Sequence, residues 1–406
     1  MNNNPKIFVQ IASYRDPELL PTIRDCIAKS AHPENLTFGL CWQRDEKESL
    51  EEFANDPRFT VIDIPWQKSK GLCWARSLIQ PLWKGEEYTL QLDSHHRFLQ
   101  NWDDELLEMM KLTGSPKPIV GSYAGMYSPS KNKLLNEEPY KMVPSNFTEG
   151  GTILFRPHGI PNWKSLTKPI PARFVSGHFF FTIGKHCEEY KYDPNIYFAG
   201  DEISLSIRSF TLGYDLFHPH KTVIWHEYTR EGRTKHWSDH DQKLKEQGET
   251  ELTWWERDVA SKRRLRHMLQ EENNGIDLTI YGLGTVRTHR EYELYAGIHF
   301  KNRKLHPKAL EGIDPPINDE SDWHKLEEKE YNLTLDIPET KDFKFIYVGV
   351  ESVTGKVLFR QDLSTYTPTV QANFKSHDVP AKWVYWPVNT SGEWMTRIDT
   401  PLNITS

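Results

Sequence analysis

An apolar strand that ends abruptly in polar residues occupies positions 88–98, where the sequence reads YTLQLDSHHRF. Apolar, β-branched runs precede it at 6–12, 36–42 and 59–64, and residues with helical spacing separate these runs. Strands that alternate with helices require crossover connections and form a mostly parallel sheet. The sequence therefore predicts an α/β fold, in which ligands bind beyond the carboxyl ends of the strands.

The length and charge of the chain limit what it can be. With 406 residues the chain exceeds the usual size of one compact domain, so we expect about two. Lys and Arg number 50 against 57 Asp and Glu, which leaves a net charge of −7 and argues against a nucleic-acid-binding protein. No run approaches the ~20 apolar residues of a membrane-spanning helix, so we expect no transmembrane segment.

Cysteine usage and the N-terminal residues favour a cytoplasmic protein. The four cysteines are Cys26, Cys41, Cys73 and Cys187, and no two of them form a C-x-x-C pair. Scattered cysteines are typical of reduced thiols rather than of a disulfide framework or a zinc cluster. The first residues lack a signal-peptide pattern. We therefore expect the protein in the cytoplasm.

The periodicity of the sequence changes along the chain. Helical spacing disappears after about residue 330, where strand-like runs follow one another. We expect a catalytic domain at 1–305, a Pro-rich linker at 306–329 and a small all-β module at 330–406. Within the first domain, residues 114–151 are rich in Pro, Ser, Lys and Gly and predict a long surface excursion.

A candidate metal site follows the strand at 88–92. Asp93 and His95 lie two residues apart, and on extended backbone such side chains point the same way. One carboxylate oxygen and one imidazole nitrogen suit Mn²⁺ or a related divalent ion. His226, which follows another short strand, is a third candidate ligand. The alternative is an Asp that caps a turn beside ordinary histidines, and so short a motif by itself favours that alternative.

Two further groups of residues suit anion or sugar binding. Gly71 begins a predicted helix, with Lys70 before it and Arg76 one turn on, and a helix N-terminus with a guanidinium attracts anions. A solvated basic turn is the alternative. Asp201 and Glu202 begin another predicted helix, where they either cap its N-terminus or face a pocket for sugar hydroxyls.

These motifs, in this order, resemble the Skp1-hydroxyproline-type polypeptide α-N-acetylglucosaminyltransferases, whose fold is the GT-A (Rossmann-like) nucleotide-sugar fold. The resemblance covers about residues 6–300. The segments that carry it are IASYRDP (11–17), GLCWAR (71–76), DSHHRF (93–98), NWD (101–103), FAGDE (198–202), GYD (213–215), WH (225–226) and YGLGTVR (281–287). The expected architecture is therefore a GT-A domain followed by the all-β module.

The resemblance also implies a role for each candidate residue. Uracil and ribose would be held by Tyr14, Arg15 and Asp16. The nucleotide or diphosphate would face Lys70, Gly71 and Arg76. Mn²⁺ or Mg²⁺ would be bound by Asp93, His95 and His226. The transferred sugar and the acceptor would lie near Asp201 and Glu202. The family pattern has two glutamates where this chain has Asp201 and Glu202. We expect Asp201 to face the substrate, because Glu202 has already entered the helix.

The function implied by the resemblance is a metal-dependent, retaining transfer of N-acetylglucosamine from UDP-GlcNAc to a hydroxyl of a polypeptide or glycan. An alternative is a capsule or surface polysaccharide transferase that uses another UDP-sugar. A second alternative is a non-catalytic protein of degenerate transferase fold that binds a sugar nucleotide or glycan. The presence of Asp93, His95 and His226 argues against this last alternative, because a non-catalytic protein does not need converging metal ligands.

Overall fold

The computed structural model describes residues 5–230, 232–316, 329–376 and 378–404. The chain divides into two compact units, Met1–Asn318 and Asp319–Ser406. Part of the predicted linker at 306–329, residues 317–328, lies outside the described residues. The division into a catalytic domain at 1–305, a linker at 306–329 and a module at 330–406 stays a prediction.

The first unit contains both strands and helices in the described ranges. Its strands are β1 (Ile7–Tyr14), β2 (Leu36–Arg44), β3 (Phe59–Pro65), β4 (Tyr88–Asp93), β5 (His96–Phe98), β6 (Pro118–Gly121), β7 (Gly125–Ser128), β8 (Lys133–Leu134), β9 (Tyr140–Phe147), β10 (Ile153–Gly159), β11 (Ile170–Pro171), β12 (Phe179–Ile183), β13 (Asp215–His218), β14 (Ile224–His226), β15 (Ile298–His299) and β16 (Lys304–Leu305). Its α-helices are α1 (Leu19–Lys29), α2 (Leu72–Ile79), α3 (Trp102–Leu112), α4 (His186–Glu189), α5 (Asp201–Thr211), α6 (His236–Asp239), α7 (Gln242–Glu246), α8 (Trp254–Met268), α9 (His289–Ala296) and α10 (Pro307–Leu310). Short 3₁₀ helices cover Pro33–Asn35, Glu51–Phe53, Trp66–Lys68, Gln80–Leu82, Trp163–Ser165 and Thr279–Tyr281. None of the helices in the described ranges is long and apolar enough to cross a membrane.

The central sheet has eight strands in the order β11-β13-β6-β12-β4-β1-β2-β3. Strands β3, β2, β1 and β4 are parallel neighbours. Strand β12 is antiparallel to both β4 and β6, and β13 is parallel to β6. This mainly parallel, mixed sheet with helical crossovers confirms the predicted Rossmann-like α/β fold.

The strands at the centre of the sheet are buried on both faces. This burial explains the near-continuous apolar sequences of β1, β2 and β4. Helix α1 turns Leu19, Ile23 and Cys26 into the same core, because a spacing of three to four residues places them on one helix face. Because β1, β2, β3 and β4 are parallel, their carboxyl ends lie at one edge of the sheet.

The predicted surface excursion at 114–151 is wrong over about half of its length, where strands form. Residues Pro118–Gly121 form β6, a buried strand near the middle of the sheet, and β7, β8 and β9 follow. Gly121 is required there because an added Cβ would lie 2.7 Å from the Cβ of Phe180 on the neighbouring strand. Pro118 and Gly121 are the first and last residues of this four-residue strand. A run that short has no recognisable periodicity, so the sequence pattern did not reveal it.

The second unit contains strands in its described ranges, as predicted. They are β17 (Lys329–Asp336), β18 (Phe343–Ser352), β19 (Val357–Leu363), β20 (Thr369–Ser376), β21 (Pro380–Asn389) and β22 (Ile398–Pro401). Two antiparallel sheets form, β17-β20 and β19-β18-β21-β22. Alternate residues of β18, Ile346, Val348 and Val350, are buried in the core of this unit. The prediction of β structure after residue 330 is confirmed.

Candidate active site

The candidate site lies where neighbouring strands end. Asp93 is the last residue of β4, and Asp16 follows the end of β1, the strand beside β4. His226 is the last residue of β14, which pairs with β5 and so stays close to the end of β4. Short β-strands thus bring residues more than 130 positions apart in the chain to one edge of the sheet, where ligands of such folds bind.

The three predicted metal ligands converge. Asp93, His95 and His226 each offer a ligand atom within 4.8 Å of the others. Asp93 Oδ2 lies 3.8 Å from His95 Nε2 and 3.7 Å from His226 Nε2, both longer than hydrogen bonds. Both ring nitrogens of His226 are buried and have no hydrogen-bond partner among the described residues. A buried nitrogen without a partner beside a carboxylate fits a divalent cation that takes one oxygen and two imidazole ligands.

Protonation favours the same interpretation. Burial, together with the nearby His95, holds the pKa of His226 well below its usual value, so its imidazole is neutral. Burial opposes ionisation of Asp93, but the proximity of His226 and the charge of Arg76 hold the pKa of Asp93 well below its usual value. The site thus presents an ionised carboxylate and a neutral imidazole, the forms in which these side chains bind metal ions.

Arg76 connects two carboxylates of the site. It is buried, and its Nη2 donates to Asp93 Oδ1 at 3.0 Å and to the carbonyl oxygen of Gly177 at 2.6 Å. Its Nη1 forms an ion pair with Asp201, whose other oxygen lies 3.3 Å from Cys73 Sγ. The guanidinium is therefore engaged by the protein itself although Arg76 lines the larger cavity, and its contact with a diphosphate stays a prediction.

Glu202 faces the larger of two cavities at the site. Its carboxylate accepts hydrogen bonds from the hydroxyls of Tyr123 and Ser176, both at 3.2 Å. Burial and, less strongly, the charge of Asp201 raise the pKa of Glu202 to about 7. No side chain caps the N-terminus of α5. Adjacent helical residues diverge by about 100°, and Asp201 and Glu202 have separate partners. Asp201 lines the same cavity but is paired with Arg76, and the expectation that Asp201 faces the substrate stays a prediction.

The residues at the end of β1 and directly after it form hydrogen bonds and ion pairs within the protein. Tyr14 donates its hydroxyl to Asp239 Oδ2 at 2.8 Å and lines the smaller cavity. Arg15 pairs with Asp239 at 2.8 Å and with Asp45 at 3.0 Å, and its guanidinium stacks over Trp66 instead of lining the cavity. Of this predicted nucleotide-binding group, the structure brings Tyr14 and Asp16 to the cavity.

Gly71 and Lys70 both precede α2 but have different surroundings. Gly71 lines the smaller cavity with a φ of +115°, and an added Cβ would lie 2.6 Å from the ring of Tyr197. Glycine is therefore required at this position. Lys70 is exposed, its Nζ lies 4.0 Å from Glu251, and it borders neither cavity. The structure brings Gly71 to the site and leaves Lys70 outside it.

The two cavities meet at the candidate metal ligands. Their volumes are about 160 Å³ and about 580 Å³, and the larger falls within the usual range of small-molecule sites. Residues that line both are Leu72, Asp93, Phe198, His226 and Arg230. Aromatic side chains line the smaller cavity, and apolar side chains of β7 and β10 line the larger one. A ligand that spans both cavities would therefore pass over Asp93 and His226.

Arg230 is a site residue that the sequence reading missed. It is exposed and borders both cavities, and its guanidinium stacks over Trp237 at 5.2 Å and Phe198 at 5.9 Å. The irregular loop after β14 has no periodicity to mark it. The available signal was the density of basic and aromatic residues directly after His226, in R-E-G-R-T-K-H-W at 230–237.

Comparison with known proteins gives a family and one structural similarity. The family model described as glycosyltransferase (GlcNAc) matches residues 6–56 and 49–302. No match is found among curated proteins. Among solved structures, that of GalNAc-T7 with UDP, GalNAc and Mn²⁺ is similar to this chain at 14% sequence identity and a TM-score of 0.48. The similarity covers 99% of this chain and 73% of that one.

Proposed function

The chain belongs to the glycosyltransferase (GlcNAc) family, and from this premise we propose that it moves N-acetylglucosamine from UDP-GlcNAc to an acceptor hydroxyl. We propose that the reaction needs a divalent metal ion and retains the configuration of the anomeric carbon. The observation that carries the proposal is the position of Asp93, His95 and His226 at the meeting point of two cavities.

The smaller cavity suits the uridine of the donor. Tyr14, Tyr197 and Trp237 give it aromatic walls, which favour a flat base. With uridine there and the sugar in the larger cavity, the diphosphate lies between them, over Asp93 and His226. Arg230 borders both cavities and supplies an exposed positive charge at that point. Arg76 keeps Asp93 oriented through its 3.0 Å hydrogen bond.

A metal ion bound by Asp93, His95 and His226 would supply charge neutralisation for the departing diphosphate. The acceptor oxygen forms its bond to the anomeric carbon on the face that UDP leaves, as the carbon–phosphate oxygen bond breaks. The acceptor proton passes to the leaving phosphate oxygen. Glu202, held by Tyr123 and Ser176, orients and polarises the acceptor hydroxyl or the sugar.

The acceptor that fits the larger cavity best is a polypeptide hydroxyl with apolar neighbours. Leu154 and Met126 line this cavity and are 50% and 40% exposed, and Phe155 lies beside them. Exposed apolar side chains at the edge of a cavity mark a binding surface for apolar groups. This wall favours a polypeptide over a polar glycan acceptor.

The cellular compartment is part of the proposal. All four cysteines, Cys26, Cys41, Cys73 and Cys187, are free and buried. Free thiols are typical of proteins that function in a reducing compartment. We therefore propose that the protein acts in the cytoplasm.

The experiment that tests the donor is a panel of sugar nucleotides, with nucleotide release measured for each in the presence of Mn²⁺. We expect UDP-GlcNAc to be turned over faster than UDP-GalNAc, UDP-glucose or GDP-mannose. Faster turnover of another UDP-sugar contradicts the donor assignment and favours the polysaccharide transferase. No turnover of any of them favours the non-catalytic binding protein.

Retention is tested on the product of that reaction. The coupling constant of the anomeric proton in the NMR spectrum distinguishes the α- from the β-linkage. We expect the α-linkage of the donor to be kept. A β-linked product contradicts a retaining mechanism.

A further inference from the structure

Asp16 is bound to a candidate metal ligand rather than open to solvent. Its Oδ2 lies 2.7 Å from Nδ1 of His95, and its side chain is 4% exposed. The same oxygen accepts the hydroxyl of Ser94 at 2.7 Å, and Oδ1 accepts the backbone N–H of Glu18 at 2.9 Å. Both carboxylate oxygens are thus engaged within the protein, which leaves little for a ribose to bind.

The contact between Asp16 and His95 favours one of the two neutral forms of the imidazole ring. A carboxylate only accepts, so its contact with His95 requires a proton on Nδ1. Nη1 of Arg233 also lies against this nitrogen, and because a guanidinium only donates, that contact would require a lone pair on Nδ1 instead. In the tautomer that Asp16 selects, the lone pair is on Nε2, the nitrogen that faces Asp93 Oδ2 at 3.8 Å. A carboxylate behind a metal-binding histidine fixes the tautomer and the ring orientation in this way.

Two charged residues extend this pair to the loop after β14. Arg233 Nη1 lies 3.3 Å from Asp16 Oδ2, and Nη2 lies 2.5 Å from Glu227 Oε2. The backbone N–H of Glu227 donates to the carbonyl oxygen of His95 at 3.1 Å. The side chains of Arg233 and Glu227 are 10% and 3% exposed. The four residues therefore form a closed, buried ring of contacts that begins and ends at His95.

We propose that Asp16 is a positioning residue that presents Nε2 of His95 to a divalent metal ion, and that Arg233 and Glu227 tie this pair to the wall of the smaller cavity. Arg233 lines that cavity beside Lys235 and His236. The inference rests on the proposed function, because it takes Asp93, His95 and His226 as the metal ligands. It replaces the ribose contact that the family resemblance implies for Asp16.

The two roles of Asp16 are separated by two binding measurements on the full chain. Mn²⁺ affinity is measured without nucleotide from the electron paramagnetic resonance signal of free Mn²⁺, and UDP affinity is measured by calorimetry in excess chelator. For Asp16→Asn we expect Mn²⁺ affinity to fall about 10- to 100-fold, with metal-free UDP affinity unchanged. Unchanged Mn²⁺ affinity with weakened UDP binding overturns the proposal.

A matched control and a double variant complete the test. Asp45→Asn makes the same chemical change at a carboxylate that pairs with Arg15, and we expect it to keep wild-type Mn²⁺ affinity. In a His95→Ala background, Asp16→Asn should cause no further loss of Mn²⁺ affinity, since Asp16 acts through His95. A further loss of Mn²⁺ affinity in the double variant, relative to His95→Ala alone, overturns the proposal. Absence of Mn²⁺ binding by the wild type contradicts the proposed metal dependence itself.

Discussion

At the scale of single residues, two adjacent carboxylates have different surroundings. Both line the larger cavity, but Asp201 is 5% exposed and pairs with the buried Arg76, whereas Glu202 accepts two hydroxyl hydrogen bonds. Asp201 thus stabilises the frame of the site, and Glu202 is placed to contact substrate. Loss of the charge of Asp201 should therefore affect stability, and loss of the charge of Glu202 should affect turnover.

We expect Glu202→Gln to lower kcat by a factor on the order of 10² with donor KM little changed, because a positioned polar group is lost in the transition state. We expect Asp201→Asn to lower the free energy of unfolding by on the order of 3 kcal/mol, because the buried Arg76 loses a charged partner. Steady-state kinetics and urea denaturation measure the two effects. The opposite pattern contradicts the assignment of Glu202 as the substrate-facing group.

The pKa of Glu202 predicts a pH dependence of the reaction. Burial, and then the charge of Asp201, raise this pKa to about 7, so the group is protonated below that pH and ionised above it. If the carboxylate polarises the acceptor, kcat/KM rises from pH 6 to pH 8 and then levels off. The rise should be absent in Glu202→Gln. A profile that is the same in both proteins excludes Glu202 as its source.

The sequence could indicate some of these residues and not others, for a physical reason. Asp93 and His95 are two positions apart on a strand end, so their convergence follows from local geometry. The ion pair of Arg76 with Asp201 joins residues 125 positions apart, from α2 and from the start of α5, and only the fold reveals it. Family resemblance named Arg76 and Asp16 as site residues, but the partner of each depends on the fold.

At the scale of secondary structure elements, the hairpin β9–β10 forms one wall of the larger cavity. A bulge between Leu154 and Phe155 interrupts its register. Because side chains alternate along a regular strand, the bulge explains how Ile153, Leu154 and Phe155 all line the cavity. The hairpin is therefore shaped for contact with a bound group.

We expect Leu154→Asp to raise the acceptor KM about tenfold, because a charge replaces an apolar contact worth about 1.5–3 kcal/mol. Slow hydrolysis of UDP-GlcNAc, which needs no acceptor contact, should remain unchanged. Leu112→Asp is the matched control, since Leu112 is a 38% exposed leucine at the end of α3, outside the cavity. An equal effect of the two variants on the acceptor KM removes β10 from the acceptor site.

The elements differ in how well the sequence predicts them. Helix α3 (Trp102–Leu112) is easy to predict, because its apolar residues repeat with helical spacing over three turns. Strand β6 was missed, since a run of four residues between Pro and Gly has no period and its burial comes from neighbours distant in sequence. Length and periodicity, rather than importance to the fold, decided what could be predicted.

At the scale of the whole molecule, the residues assigned to the candidate site all belong to the first compact unit, Met1–Asn318. We expect a chain that ends at Asn318 to fold and to hydrolyse UDP-GlcNAc within about twofold of the full chain, because compact units with their own core can fold alone. Far-UV circular dichroism and UDP release measure the two properties. Loss of folding in the shortened chain contradicts the independence of the first unit.

The central claim for the molecule is that a divalent ion at Asp93, His95 and His226 is needed for transfer from UDP-GlcNAc. The surface histidine His32, beside Glu34 and Asp104, offers a control substitution of the same kind. The most direct measurement is UDP release from UDP-GlcNAc with Mn²⁺ and with excess chelator, for the wild type, His226→Ala and His32→Ala. The account predicts that chelator or His226→Ala abolishes release and that His32→Ala leaves it unchanged. Full release in excess chelator, or by His226→Ala, would contradict it.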